Sequence, residues 1–156
     1  MNAEAEAKGK ELEDKIRHRL GRSLSIRTVD AGSCNACEVE INSLSNAVHD
    51  LERFGLRIVA SPRHADMLLV TGPVTRNMEK PLLSAYRAAP EMPIVVAMGT
   101  CAISGGIFRH SYACNNGVAS VLPVDVFIAG CPPRPEAIIH GLMVALDKMP
   151  VRLTSR

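Results

Sequence analysis

At 156 residues the chain is long enough for one domain with a substantial core. A hydrophobic share of 47%, a charged share of 22% and a net charge of +2 are ordinary globular values, too weakly basic to argue for nucleic acid. With 3% aromatic residues and no Trp there is no stacking platform for single strands, and no apolar run approaches the ~20 residues of a membrane span.

Residues 1–22 read as a charged helical extension. The opening Met1-Asn2-Ala3-Glu4-Ala5-Glu6-Ala7-Lys8 alternates small and charged residues and carries neither a signal-peptide apolar stretch nor a twin-arginine signal. The expected location is therefore the cytosol, or the cytosolic side of a larger assembly. Leu12, Ile16 and Leu20 recur every fourth residue and give a helix over 3–20 a thin apolar stripe. Such a helix is weak alone, so it is expected to fray or to dock on a partner or a membrane surface.

Gly21 ends the extension, and a domain over 23–150 follows, with a tail at 151–156. A first strand is expected at 24–30, then a turn, then a helix over 37–50 with Ile41, Leu44, Val48 and Leu51 on its buried face. Residues 56–60 and 67–70 read as further strands. The second of these is continuously apolar, as in a sheet covered on both sides. A helix over 78–88 has Pro81 placed in its first turn, where a missing N–H is tolerated. A strand over 94–99 leads to a flexible Ser104-Gly105-Gly106 loop, and 107–117 reads as irregular. A last strand over 124–129 precedes a helix over 135–148 that buries Ile138, Ile139, Leu142, Met143 and Leu146. Strands alternating with helices predict an α/β fold, a doubly wound, flavodoxin-like parallel sheet with helices on both faces.

Four of the five cysteines sit where apolar runs end. Cys34 and Cys37 follow 25–30, Cys101 follows 94–99 and Cys131 follows 124–130. In a doubly wound sheet the carboxyl ends of the strands share one edge, where ligands bind, so the four thiols could meet there. Four convergent thiolates suit an iron–sulfur cluster or a structural zinc. In a compartment where thiols stay reduced, metal or redox chemistry is favoured over disulfides, which an odd count of five also fits poorly. Two further readings stay open: a redox dithiol at Cys34 and Cys37, and simple burial of apolar cysteines. Cys114, in an irregular stretch, reads as a buried structural thiol. His64 and His110 read as loop residues and not ligands, and Arg63 and Arg76 as solvated. Arg134, beside Cys131, is a candidate for holding that loop or a partner.

The motifs at 33–40 (Ser-Cys-Asn-Ala-Cys-Glu-Val-Glu), 61–66 (Ser-Pro-Arg-His-Ala-Asp), 70–78, 99–106 (Gly-Thr-Cys-Ala-Ile-Ser-Gly-Gly) and 130–136 (Gly-Cys-Pro-Pro-Arg-Pro-Glu) resemble one family. It joins the small subunit of nickel–iron hydrogenases to the B subunit (20 kDa subunit) of respiratory complex I. Complex I members carry two adjacent cysteines in the first motif. Here two residues separate them, as in hydrogenase small subunits, and the 61–66 stretch looks most like membrane-bound, energy-converting hydrogenases of the formate hydrogenlyase type. Ala36 stands where hydrogenase-type members often have glycine.

The resemblance implies one 4Fe–4S cluster, with Cys34, Cys37, Cys101 and Cys131 as ligands. It implies electron exchange with the catalytic site of a partner, either a hydrogenase large subunit holding nickel–iron or a complex I-type 49 kDa-like subunit with a quinone site. A ferredoxin-like iron–sulfur subunit and, indirectly, membrane subunits are further implied partners, at the cytoplasmic face of the membrane. The chain itself would be a non-catalytic part of an oxidoreductase. Glu38 and Glu40 occupy a helix's first turn, where carboxylates suit the dipole. Glu40 matches the family's acidic position and is the candidate for the partner interface or a proton path.

Overall fold

The computed structural model describes residues 3–90 and 93–150. The tail expected over 151–156 lies outside the described residues. Five strands form one parallel sheet: β1 (Leu24–Asp30), β2 (Leu56–Ile58), β3 (Met67–Thr71), β4 (Ile94–Met98) and β5 (Val126–Ile128). Their order is β2-β1-β3-β4-β5, the flavodoxin-like arrangement of a doubly wound sheet.

Alternation along the strands sorts the core into two layers. Ile26, Met67, Leu69, Val96, Met98 and Ile128 face one side, where they pack with Leu12, Ile41, Leu142 and Leu146. These last four come from α1 (Ala3–Leu20), α2 (Ala36–Ser43) and α5 (Pro135–Lys148). Val29, Leu68, Val70, Val95 and Ala97 face the other side, against Leu82 of α3 (Arg76–Ala88) and Ala102 of α4 (Thr100–Ser104). All five residues of β3 are buried, which is why that strand is apolar without alternation.

The helix expected over 3–20 forms, and its stripe belongs to the core. Leu12, Ile16 and Leu20 are all buried, so the helix neither frays nor spends its apolar face on a separate surface. Lys15 bonds Asp147 of α5 at 2.8 Å, and a side chain at Gly9 would strike the ring of Phe54.

Other expectations shift for local reasons. α2 ends at Ser43, well short of residue 50. Ser43 Oγ donates back to the Glu40 carbonyl at 2.7 Å, and Asn46 Oδ1 accepts the N–H groups of Val48 and His49 at 2.9 and 3.0 Å. These side chains compete with the helix for its backbone groups, and Val48 is left 52% exposed instead of buried. α3 starts two residues earlier than expected, because the Thr75 carbonyl accepts from Met78 N and Glu79 N. Pro81 is therefore interior and on the solvent side of the helix. Ser104-Gly105-Gly106 is no loop: it ends α4 and opens a 3-10 turn at Gly106–Phe108.

Candidate functional site

Parallel register brings the site together. Asp30, Thr71, Met98 and Ile128 stand side by side across β1, β3, β4 and β5. Cys34 comes four residues after this line, and Cys101 and Cys131 three residues after it. The cysteine-bearing loops thus leave the same edge of the sheet.

Each loop is then fixed by its own hydrogen bonds. Asp30 Oδ1 accepts from Gly32 N at 2.9 Å and Ser33 N at 2.7 Å, an Asx turn that folds the chain back at the strand end. Asn35, at φ 71°, turns it into α2, which carries Cys37. The Gly130 carbonyl accepts from Thr100 N at 2.8 Å and Thr100 Oγ1 at 3.0 Å. That pair of bonds ties the loop of Cys131 to the helix of Cys101. Cys37 Sγ lies 4.0 Å from the Met98 carbonyl oxygen, at the end of β4.

Cys37 and Cys101 are partly buried, while Cys34 and Cys131 are exposed. Burial first, then Glu38, then the charges of Cys34, Cys101 and Cys131 push the Cys37 thiol up to about 12. Burial and then Cys131, Cys34 and Cys114 also raise Cys101. Burial is the main cause in both, with smaller contributions from the neighbouring thiols.

The donor set and its surroundings fit a cationic iron–sulfur core. Four thiols are the ligand chemistry of such a cluster. The space beside them is kept clear: a Cβ at Gly99 would stand 2.7 Å from Cys37 Sγ, and Gly99 has φ +90°. Among the described residues, no three His, Cys, Asp or Glu side chains are gathered to hold a single metal ion.

The remaining candidates separate. Cys114 is buried and forms an isolated backbone bridge with Thr75. His64, His110, Arg63 and Arg76 are exposed. The Arg134 side chain is exposed too, and its carbonyl accepts from Ala137 N and Ile138 N at the start of α5. Asp66, the end of the 61–66 motif, is structural: it takes two bonds from Arg22 at 2.8 and 2.6 Å and one from Ser25 N at 3.0 Å. The Glu40 carboxylate has a long contact with Ser43 Oγ at 3.5 Å. Glu38 is the acid wired into the site. Ser33 Oγ donates to one of its oxygens at 2.6 Å, and Thr71 Oγ1 donates to the other. The only hint in the sequence is a hydroxyl residue closing an otherwise apolar strand.

The family model for the NADH ubiquinone oxidoreductase 20 kDa subunit matches residues 34–145. The chain is 47% identical over 130 residues to a "probable membrane-bound hydrogenase subunit mbhJ" of Pyrococcus furiosus, covering 83% of this chain and 78% of that one. It is 44% identical over 138 residues to formate hydrogenlyase subunit 7 of Escherichia coli, covering 88% of this chain but 54% of that longer one. Among solved structures, a chain of the archaeal membrane-bound sulfane sulfur reductase superposes with a TM-score of 0.69 at 38% identity, covering 88% of this chain and 76% of that one.

Proposed function

The chain belongs to the family of the NADH ubiquinone oxidoreductase 20 kDa subunit, and from that membership we propose that it is an electron-transfer subunit carrying one 4Fe–4S cluster on Cys34, Cys37, Cys101 and Cys131. The observation that supports this reading is that strand register sends the loops bearing those four cysteines out from one sheet edge. When bound, such a cluster stores and releases single electrons. The protein's own work is to hold four thiolates, to keep the space beside them open at Gly99, and to set the charge around them.

The partner is a larger catalytic subunit. The segments that follow Cys37 and Cys101 expose apolar side chains: Val39, Ile107 and Tyr112 are 58%, 87% and 88% exposed. Exposed apolar side chains of this kind suit a protein interface. Glu40 and Arg134, near Cys37 and Cys131 in the chain, would meet the partner, Glu40 at the interface or on a proton path. Among the described residues no helix is long and apolar enough to cross a membrane. Attachment at the cytoplasmic face of the membrane would then come through other subunits, with a ferredoxin-like subunit as an electron partner.

The hydrogenase form of this reading is favoured by the two residues between Cys34 and Cys37 and by the relatives named for hydrogenase complexes. The complex I-type form, with the loop 71–78 facing a quinone, is favoured by the family's own description. Metal analysis and low-temperature electron paramagnetic resonance on the anaerobically purified native complex separate them. A reducible 4Fe–4S signal that Cys101→Ser or Cys131→Ser abolishes, with nickel present, supports the hydrogenase form. The same signal without nickel moves the assignment to the quinone-linked or a sulfur-reducing form. Zinc without iron overturns the electron-transfer reading.

A further inference from the structure

Glu38 occupies a built position. The turn before α2 is pressed against the end of β3: Ala31 N donates to the Thr71 carbonyl at 2.9 Å and Thr75 N to the Ala31 carbonyl at 3.0 Å. A Cβ at Gly72 would come within 2.6 Å of Ser33 N. This close backbone contact brings Ser33 and Thr71 to the same carboxylate. Thr71 is 1% exposed. Ser33 Oγ already accepts from Asn35 N at 3.0 Å, which leaves its single proton for Glu38. Both Glu38 oxygens are used, so the carboxylate is held in one orientation in the residue that follows Cys37. Among the described residues, the Glu40 carboxylate, two residues on, has only the long contact with Ser43 within its own helix.

We propose that Glu38, oriented by Ser33 and Thr71, is a fixed negative charge beside the four-thiol site that holds down the reduction potential of the cluster; this rests on the cluster reading above. The physics is direct. Reduction adds one electron to the cluster, and a carboxylate anchored nearby opposes that added charge. The opposition is strong where water is scarce, because a low effective dielectric screens it little. Ser33 and Thr71 do two things: they keep the carboxylate from swinging out to solvent, and their hydroxyl dipoles partly offset its charge.

Redox titration of the cluster signal in the native complex, with iron per complex measured on the same samples, tests this. Wild-type protein without a cluster would remove the functional reading itself and is recognised by its iron content alone. With the wild type loaded, Glu38→Gln is expected to keep its iron and raise the midpoint potential. Thr71→Val, in which the Ser33 bond still holds the carboxylate in place, keeps the charge but removes a compensating dipole and is expected to lower it. A role confined to holding the turn would change iron content but not produce opposite shifts. Full iron with an unmoved potential in Glu38→Gln overturns the proposal, and so does an upward shift in Thr71→Val. If Glu38→Gln loses its iron, Thr71→Val decides: a lowered potential supports the proposal, while an unmoved potential or a lost cluster overturns it.

Discussion

At the scale of the residue, the site depends as much on what is missing as on the thiols. Gly99 has φ +90° and ψ 155° at the start of α4, a region nearly closed to other residues, at a cost of about 1–3 kcal/mol. A methyl group there would also intrude to 2.7 Å from Cys37 Sγ. Gly99→Ala is therefore expected to lower iron content severalfold while the far-ultraviolet dichroism keeps its α/β shape. Full iron loading in that variant would mean the thiol moves freely and the cradle is not tight. The cysteines were legible in the sequence because each follows a strand-like run. The Gly99–Cys37 contact was not, since it joins positions on different elements. The Glu38 network was hidden for the same reason: Thr71 reaches the carboxylate only through the pairing of β1 with β3, and periodicity says nothing about which strands pair.

At the scale of the element, α5 follows its pattern because a broad apolar face and Pro135 at its start agree, whereas α2 stops short of its apolar pattern because Ser43 and Asn46 break it. α1 is the more instructive case. Its stripe is thin, yet it covers Phe54 and packs against α5. Leu12 is fully buried, so Leu12→Ala is expected to destabilise the domain by about 2–5 kcal/mol in chemical denaturation. An effect below the error of the measurement would mean that α1 is only loosely attached. The same seam has a weak acid dependence. Lys15, by hydrogen bond and charge, with Arg19 adding charge, lowers Asp147 below its ordinary 3.8. A depressed carboxylate stabilises above its unfolded pKa and loses that contribution as pH falls through the folded value. The Lys15–Asp147 tie is thus present at neutral pH and lost in acid below 3.8. Asp147 is half exposed, so the expected loss is under ~1 kcal/mol. Lys15→Met should flatten that part of the stability–pH profile by lowering stability at neutral pH by that same small amount, while leaving stability in acid below 3.8 nearly unchanged.

At the scale of the whole molecule, the sheet order divides the labour. The interior strands β1, β3 and β4 supply the buried floor, and the short β2 and β5 lie at the edges. The alternation of strands and helices pointed to a doubly wound, flavodoxin-like sheet, and the observed order β2-β1-β3-β4-β5 is that arrangement. One end of the sheet then carries the thiols, with exposed Ile107 and Tyr112 in the segment that follows Cys101. A lone chain must expose that apolar surface and two of its thiols to solvent, although its core is otherwise closed. The expected behaviour follows from this asymmetry. On the proposed function, the protein expressed alone should associate or shed its iron, whereas co-expression with the proposed large-subunit partner should give a monodisperse, iron-loaded assembly. Replacing Ile107 and Tyr112 together by Ser should make the isolated chain more soluble and weaken its capture by the large subunit, as read by light scattering and co-purification. An isolated wild-type chain that is monodisperse and fully loaded with iron would show that this end of the sheet needs no cover, and the interface would have to be sought on another face.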